Sequence, residues 1–310
     1  MKGEHATAAR FGLGEAPGGP ARLHFSHEAM ATVFEVRCVH RDARYARQAA
    51  DAAFDLVDRL EQELSRFVAN SDVSRVSALA AGESTRVSPT TLECLAIARH
   101  LHDLTGGAFD VSIGTGLPDL ELDPDTFTVH ALRDGIRLDL GGIGKGYAID
   151  RVAELLDEWE VRHALVHGGF SSVLALEAPP DQEGWPLTLS APGGCEVLAR
   201  LQARRQALSA SGTRKGDHIV DPRTGRPASR RAAWVALVAP PAGPDGGGSP
   251  AAVAEGLSTA FMILAESEIA EHVQAVPGLE AWIVGGKAAE GPGDAFVHLA
   301  GPARGGGDGP

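Results

Sequence analysis

Residues 139–150 read Asp-Leu-Gly-Gly-Ile-Gly-Lys-Gly-Tyr-Ala-Ile-Asp, and residues 218–225 read His-Ile-Val-Asp-Pro-Arg-Thr-Gly. The first places Gly141, Gly142, Gly144 and Gly146 around Lys145, between an apolar run and an amphipathic stretch. Glycines let a ligand approach the main chain, and the free N–H groups of a helix start attract anions. Lys145 adds a mobile positive charge of the kind that holds phosphate. The second segment sets an imidazole, a carboxylate and a guanidinium around Pro222. Together they point to a phosphate-bearing ligand handled by acid–base or metal chemistry. The glycine segment matches neither the dinucleotide spacing G-x-G-x-x-G nor the Walker spacing G-x-x-x-x-G-K-[ST]. It also reads as a tight strand-to-helix turn with no ligand.

These residues need elements to hold them. Alternation of Phe34, Val36 and Cys38 against Val33, Glu35 and Arg37 predicts a strand within 24–39. Ala46, Ala49, Ala50, Ala53, Leu56, Val57, Leu60 and Leu64 have helical spacing, which predicts a helix over 44–67 with a core-facing stripe. A short helix is expected over 71–79. Ser88 followed by Pro89 marks the start of another, running to about Leu104 and stopping at Gly106 and Gly107. Strands are expected at 127–130 and 136–140, and a helix over 145–159 leaves the glycine turn. Strands follow at 164–167, 172–177, 186–190, 195–201, 206–210, 233–239 and 280–284, with helices at 251–264 and 267–275. Residues 240–250, rich in Pro and Gly, read as a loop. Strand clusters mixed with helices indicate an α+β fold. One domain over 23–300 is expected, flanked by disordered segments at 1–22 and 301–310.

The chain has 310 residues, 44% hydrophobic and 22% charged, with a formal net charge of −13. Such an acidic balance argues against nucleic acid as a partner. Cys38, Cys94 and Cys195 are far apart and odd in number, so buried reduced thiols are expected rather than a disulfide framework. No apolar leader region, lipid-attachment cysteine or membrane-length run is visible, and the expectation is a cytoplasmic protein without a membrane anchor.

Several ordered segments resemble the ApbE family of flavin transferases. Met30-Ala31-Thr32 is similar to the family's Met-Gly-Thr. Residues 60–75 resemble its helix followed by a Ser-aromatic stretch and a Ser-Glu/Asp-Ile-Ser pattern. Thr105-Gly106-Gly107-Ala108-Phe109-Asp110 resembles Thr-x-Gly-Ala-Phe-Asp, and residues 139–150 resemble Asp-Leu-Gly-Gly-Ile-Ala-Lys-Gly-Tyr-Ala-Val-Asp. Ser211-Gly212 and residues 218–225 resemble its Ser-Gly and His-Ile-x-Asp-Pro-x-Thr-Gly elements. The resemblance spans about residues 26 to 285.

It implies a T-fold-like α+β architecture of mixed or antiparallel sheets with packed helices. It also implies a Mg²⁺-dependent reaction in which FMN passes from FAD to a Thr or Ser hydroxyl of an acceptor flavoprotein, with release of AMP. The implied acceptor motif is Asp-x-x-(Ser/Thr)-Gly-Ala-(Ser/Thr). Implied FAD contacts are Met30, Ala108, Phe109, Asp110, Gly141, Gly142, Lys145, Ser211, Gly212 and His218. His218 and Lys145 are the implied catalytic pair, His218 as general base or phosphate contact. The family's Ala-Asp-x-x-x-Thr stretch appears as Ala254-Glu255-Gly256-Leu257-Ser258-Thr259. It implies Glu255 and Thr259 as metal ligands, four residues apart on one helix face, with a carbonyl near Gly144 as the third. Glu255 also reads as a solvated charge at a helix start, and His218 as a turn cap. Asp221 and Arg223 read as a pair holding each other across Pro222. His100 and His102 are expected to face solvent.

Besides Glu255 in place of aspartate, the chain departs from the family pattern in a brief 114–126 segment, in Phe170 after Gly168-Gly169, and in a short stretch between Gly212 and His218 with Thr213 where an aromatic is expected. A pyrophosphatase giving FMN and AMP, and a non-catalytic FAD-binding protein, are the alternative readings.

Overall fold

The computed structural model describes residues 9–10, 21–191, 196–212, 219–228, 232–238, 248–285 and 296–302. Its centre is a nine-stranded sheet in which every described pair is antiparallel, in the order β1-β2-β3-β7-β8-β11-β12-β13-β14. The strands are β1 (Ala9–Arg10), β2 (Ala21–Ala29), β3 (Thr32–His40), β7 (Ala164–Gly168), β8 (Ser172–Ala175), β11 (Gln206–Gly212), β12 (Ala232–Val238), β13 (Leu279–Val284) and β14 (Phe296–Ala300). Two small antiparallel sheets lie beside it. One joins β4 (Ser84–Arg86), β6 (Thr128–Ala131) and β5 (Leu120–Asp123); the other joins β9 (Trp185–Ser190) and β10 (Val197–Ala203).

The helices are α1 (Ala43–Leu64), α2 (Asp72–Ser77), α3 (Pro89–Leu104), α4 (Gly144–Glu158), α5 (Pro250–Ala260) and α6 (Glu266–Ala275). Asp42 caps α1 by accepting from the N–H groups of Arg44 and Tyr45. Of the stripe expected along α1, Ala46, Ala49, Ala50, Ala53, Val57, Leu60 and Leu64 are buried, Leu56 is half-buried, and Phe54 joins the buried face. Ser88 caps α3 through the Thr91 N–H, with Pro89 in the first turn.

Strand alternation splits the core. Phe25, Phe34, Val36 and Cys38 face the helices, where they meet Leu60, Leu95, Tyr147 and Phe261. Val39, Leu165, Val173, Trp234 and Trp282 face the other way, under Trp185, Leu187 and Leu189 of β9. The arrangement is therefore helices on a large antiparallel sheet, with a hairpin covering part of the far face.

Several expectations are revised. Residues 136–140 form no strand; the chain runs extended and then closes a 3₁₀ turn over Leu140–Gly142. β2 was not anticipated, and it makes 24–39 a hairpin whose two-residue turn places Met30 and Ala31 at φ 50° and 56°. β4, β5 and β14 were also missed, being short or set in turn-rich sequence. Ala9–Arg10 and Ala21–Arg22, within the segment expected to be disordered, lie in strands. The helix expected over 251–264 ends at Ala260. Cys38 and Cys94 are buried thiols, Cys38 pushed up to about 12 by burial; Cys195 and most of the 240–250 loop lie outside the described residues. Among the described residues no helix is long and apolar enough to cross a membrane.

One histidine predicts a pH response. His167 lies between Glu35 of β3 and Val173 of β8, with its Nε2 buried and without a hydrogen-bond partner among the described residues. Burial, then the Arg37 charge, lower its pKa to about 4; Glu35 opposes them and His24 adds to them. The unfolded chain therefore binds a proton near pH 6.5 that the folded protein refuses until about pH 4. Stability is expected to fall by about 2 kcal/mol as pH drops through that window, after allowance for partial exposure. Urea titrations at stepped pH should show the loss in the wild type and a flatter profile in His167→Leu.

Candidate functional site

The site gathers where the glycine turn enters α4. Asp139 starts the turn: its Oδ1 accepts from the Gly141 N–H at 2.9 Å, and its Oδ2 pairs with Arg66 Nε at 2.8 Å. The Asp139 N–H donates to Val111 O at 2.7 Å, tying the turn to the Asp110 loop. Gly142 sits over the Phe109 ring, and a Cβ there would come within 3.3 Å of the ring and 3.7 Å of Thr259 Oγ1. Phe109 also underlies Gly256, so one buried ring sets the spacing between the turn and α5.

Helix α4 begins without a side-chain cap from its own N-cap residue, and so does α5. Each is capped by the other. Glu255 of α5 accepts the Gly146 N–H on Oε2 at 2.6 Å. Asp150 of α4 accepts the N–H groups of Ala251 and Ala252, one on each oxygen, both at 2.9 Å. Orphan donors at a buried helix start need such partners. Burial pushes Asp150 up to about 8 against the pull of those two amides. Gly146 makes the close approach possible: a Cβ there would lie 2.3 Å from Ala251 O.

Lys145 reaches from the turn to Glu255, its Nζ donating to Glu255 Oε1 and, at 3.2 Å, to Gly141 O. The Glu255 side chain is 6% exposed, which removes the reading of it as a solvated helix-start charge. Thr259 lies one turn on, its Oγ1 donating to Glu255 O at 3.1 Å. From the end of β11, Ser211 Oγ lies 2.9 Å from Ser258 Oγ and 3.2 Å from Thr259 Oγ1. Gly141 and Gly142 of the turn, Lys145 of α4, Glu255 and Thr259 of α5, and Ser211 of β11 thus converge from four elements.

The remaining expected residues surround this centre. Asp110 is engaged with its own loop, accepting from Ser112 N and Oγ and from Gly114 N, each at 2.8 Å. Ala108 and Phe109 are buried. Gly212 ends β11 opposite Ala232, and Gly144 opens α4. Met30 sits at the β2–β3 turn beside a cleft of about 470 Å³. That turn connects to the centre through the β7–β8 turn: Gly169 N–H donates to Val33 O at 2.8 Å, and Ala210 N–H donates to Ser171 O at 2.7 Å, next to Ser211. Phe170 is fully exposed on the β7–β8 turn. Asp221 and Arg223 do hold each other, Nε to Oδ1 at 2.9 Å, and Arg223 keeps the Asp221 carboxyl below its usual range. His218 and Thr213 lie outside the described residues. His100 is exposed as expected, but His102 is half-buried, its Nε2 about 3.4 Å from a Cβ placed on Gly107.

The donor set suits a hard cation. Glu255 carboxylate, Thr259 hydroxyl and a glycine-turn carbonyl are all oxygens, as Mg²⁺ prefers. Among the described residues no three His, Cys, Asp or Glu side chains cluster as a metal group. A cation held by these three oxygens alone would complete its shell from a phosphate ligand and water. Sequence reasoning missed Asp150 as the cap of α5, because its partners lie 101 and 102 residues away. Its one local signal was a carboxylate on the apolar side of a helix, four residues after Gly146.

A profile of the ApbE family matches residues 30–118 and 115–283. A FAD:protein FMN transferase of Vibrio cholerae is 22% identical over 287 aligned residues, covering 79% of this chain and 82% of that protein. Among solved structures, the flavin transferase ApbE from Vibrio cholerae superposes with a TM-score of 0.76 at 20% identity, covering 91% of this chain and 97% of that one. The apo form of the Pseudomonas stutzeri flavinyl transferase ApbE gives 0.75 at 23% identity, covering 90% and 95%.

Proposed function

The chain belongs to the ApbE family, and from that premise we propose that it transfers FMN from FAD to a Thr or Ser hydroxyl of an acceptor flavoprotein. The relatives named as FAD:protein FMN transferases support this reading. So does the convergence of Lys145, Glu255, Thr259 and Ser211 on a glycine turn at a helix start, which is the observation that carries it.

The hydroxyl oxygen of the acceptor attacks the phosphorus on the FMN side of the diphosphate. The bond from that phosphorus to the bridging oxygen breaks, and AMP leaves with that oxygen. Such a transfer needs positioning and charge neutralisation more than covalent help. Gly141 and Gly142 let the diphosphate approach the main chain, and Lys145 neutralises phosphate charge. Ser211 and Gly212 line the β11 side, and Met30, Ala108, Phe109 and Asp110 shape the flavin and adenine side. His218 takes the hydroxyl proton. Glu255, Thr259 and the carbonyl near Gly144 would hold Mg²⁺, which when bound would withdraw charge from the phosphate oxygens.

The test incubates the protein with FAD, Mg²⁺ and a peptide containing Asp-x-x-(Ser/Thr)-Gly-Ala-(Ser/Thr), with peptide mass and AMP read in parallel. FMN on the peptide with matching AMP is expected, and Glu255→Gln should lower the rate on the order of 100-fold. FMN and AMP without labelled peptide would replace transfer with hydrolysis. FAD binding without AMP would leave a binding protein.

A further inference from the structure

The Lys145 ammonium takes a carboxylate oxygen of Glu255 that a metal ion would use. Its two acceptors are Glu255 Oε1 and Gly141 O, while the other Glu255 oxygen is committed to the Gly146 N–H. Each Glu255 carboxylate oxygen thus already has a partner within the protein. The pair is well shielded, with side chains 23% and 6% exposed, so the carboxylate would be costly to leave uncompensated.

An ammonium and a divalent cation cannot share these lone pairs, because their charges repel at contact distance in a poorly solvated site. Lys145 has four flexible carbons and the more exposed end of the pair, so it is the partner able to leave.

We infer that Lys145 is an internal cation that closes the metal site of the ligand-free protein by pairing with Glu255, and that a divalent cation binds only as Lys145 swings away. The inference rests on the proposed metal role of Glu255. It makes cation and diphosphate binding mutually reinforcing: a cation on Glu255 frees the ammonium for phosphate, and a phosphate that draws the ammonium away frees Glu255. Lys145 is here a positioning residue for the metal site, separate from its proposed contact with phosphate.

The test is Mn²⁺ binding to the ligand-free full chain, followed by electron paramagnetic resonance of the free ion. Lys145→Met should bind Mn²⁺ about tenfold or more tightly than the wild type, within the usual range of coupling between sites. Lys145→Arg, which keeps the charge, should stay as weak as the wild type. If Lys145→Met does not fold, Lys145→Gln, which keeps a donor for Glu255, carries the same comparison. Unchanged or weaker Mn²⁺ binding in the neutral variant overturns the inference. Absence of Mn²⁺ binding in both proteins overturns it too. FMN transfer by the wild type, measured separately, then shows whether the proposed function falls with it.

Discussion

Gly146→Ala is expected to destabilise the protein by about 3 kcal/mol or more, while Gly144→Ala, two residues earlier, is neutral or stabilising. At Gly146 an added methyl would meet Ala251 O at 2.3 Å, Ala251 C at 2.6 Å and Ala252 Cα at 2.8 Å, all main-chain atoms. No side-chain rotation relieves such contacts, so α5 must move away from α4, and overpacking on that scale costs a few kcal/mol. The displacement also pulls Glu255 from the Gly146 N–H and shifts Thr259, so FMN transfer should fall on the order of 100-fold even in protein that still folds. At Gly144 the methyl would meet only Leu140 Cβ at 3.9 Å, in ordinary contact. Alanine is the better helix former by up to about 1 kcal/mol, and this position carries alanine in the pattern the segment resembles. Thermal unfolding of the two variants and the peptide-labelling assay check both halves. Equal stability of the two would show that the helices can separate at no cost.

Asp150→Ala is expected to cost about 3 kcal/mol, seen as a fall in Tm of about 6–12 °C for a domain of this size. The two carboxyl oxygens of Asp150 accept from two first-turn N–H groups of α5, whose own N-cap residue, Ser249, makes no side-chain cap bond. Removing the carboxyl leaves both donors buried without partners and opens a void beside Ala251 and Ala252, each under 2% exposed. Asp150→Asn keeps one acceptor oxygen and should lose less. Because α5 carries Glu255 and Thr259, the Ala variant should also weaken metal binding, which separates a positioning loss from a purely global one. An unchanged Tm in Asp150→Ala would mean that the α5 start is held by packing alone.

Much of the helical framework is legible in the chain because its signals are local. The alanine-rich stripe of α1, the Ser88-Pro89 start of α3 and the glycine stops after Leu104 each act within one or two turns. Strand pairing is a different matter. β3 lies beside β7, more than a hundred residues on, and β8 beside β11, and no local pattern encodes those neighbours. β14 and β4 were missed because short strands carry too few alternations to stand out from loop sequence. The run at 136–140 has the apolar pattern of a strand, yet among the described residues no strand pairs with it; its main chain bonds instead to Val111 and to the Ser77 and Thr115 hydroxyls.

The site divides along the same line. Residue type and spacing in the chain determined that a glycine-lysine turn opens a helix and that Glu255 and Thr259 share a helix face, because each is a matter of a few residues. Which partners those groups take was decided by the tertiary structure. Lys145 and Glu255 are 110 residues apart, and Glu255 and Gly146 are 109. They meet only because Gly146 lets α4 and α5 pack main chain to main chain, with Phe109 as the spacer and Asp150 capping the far helix. A buried carboxylate takes whatever donors packing brings to it, and packing between distant segments is a property of the folded whole.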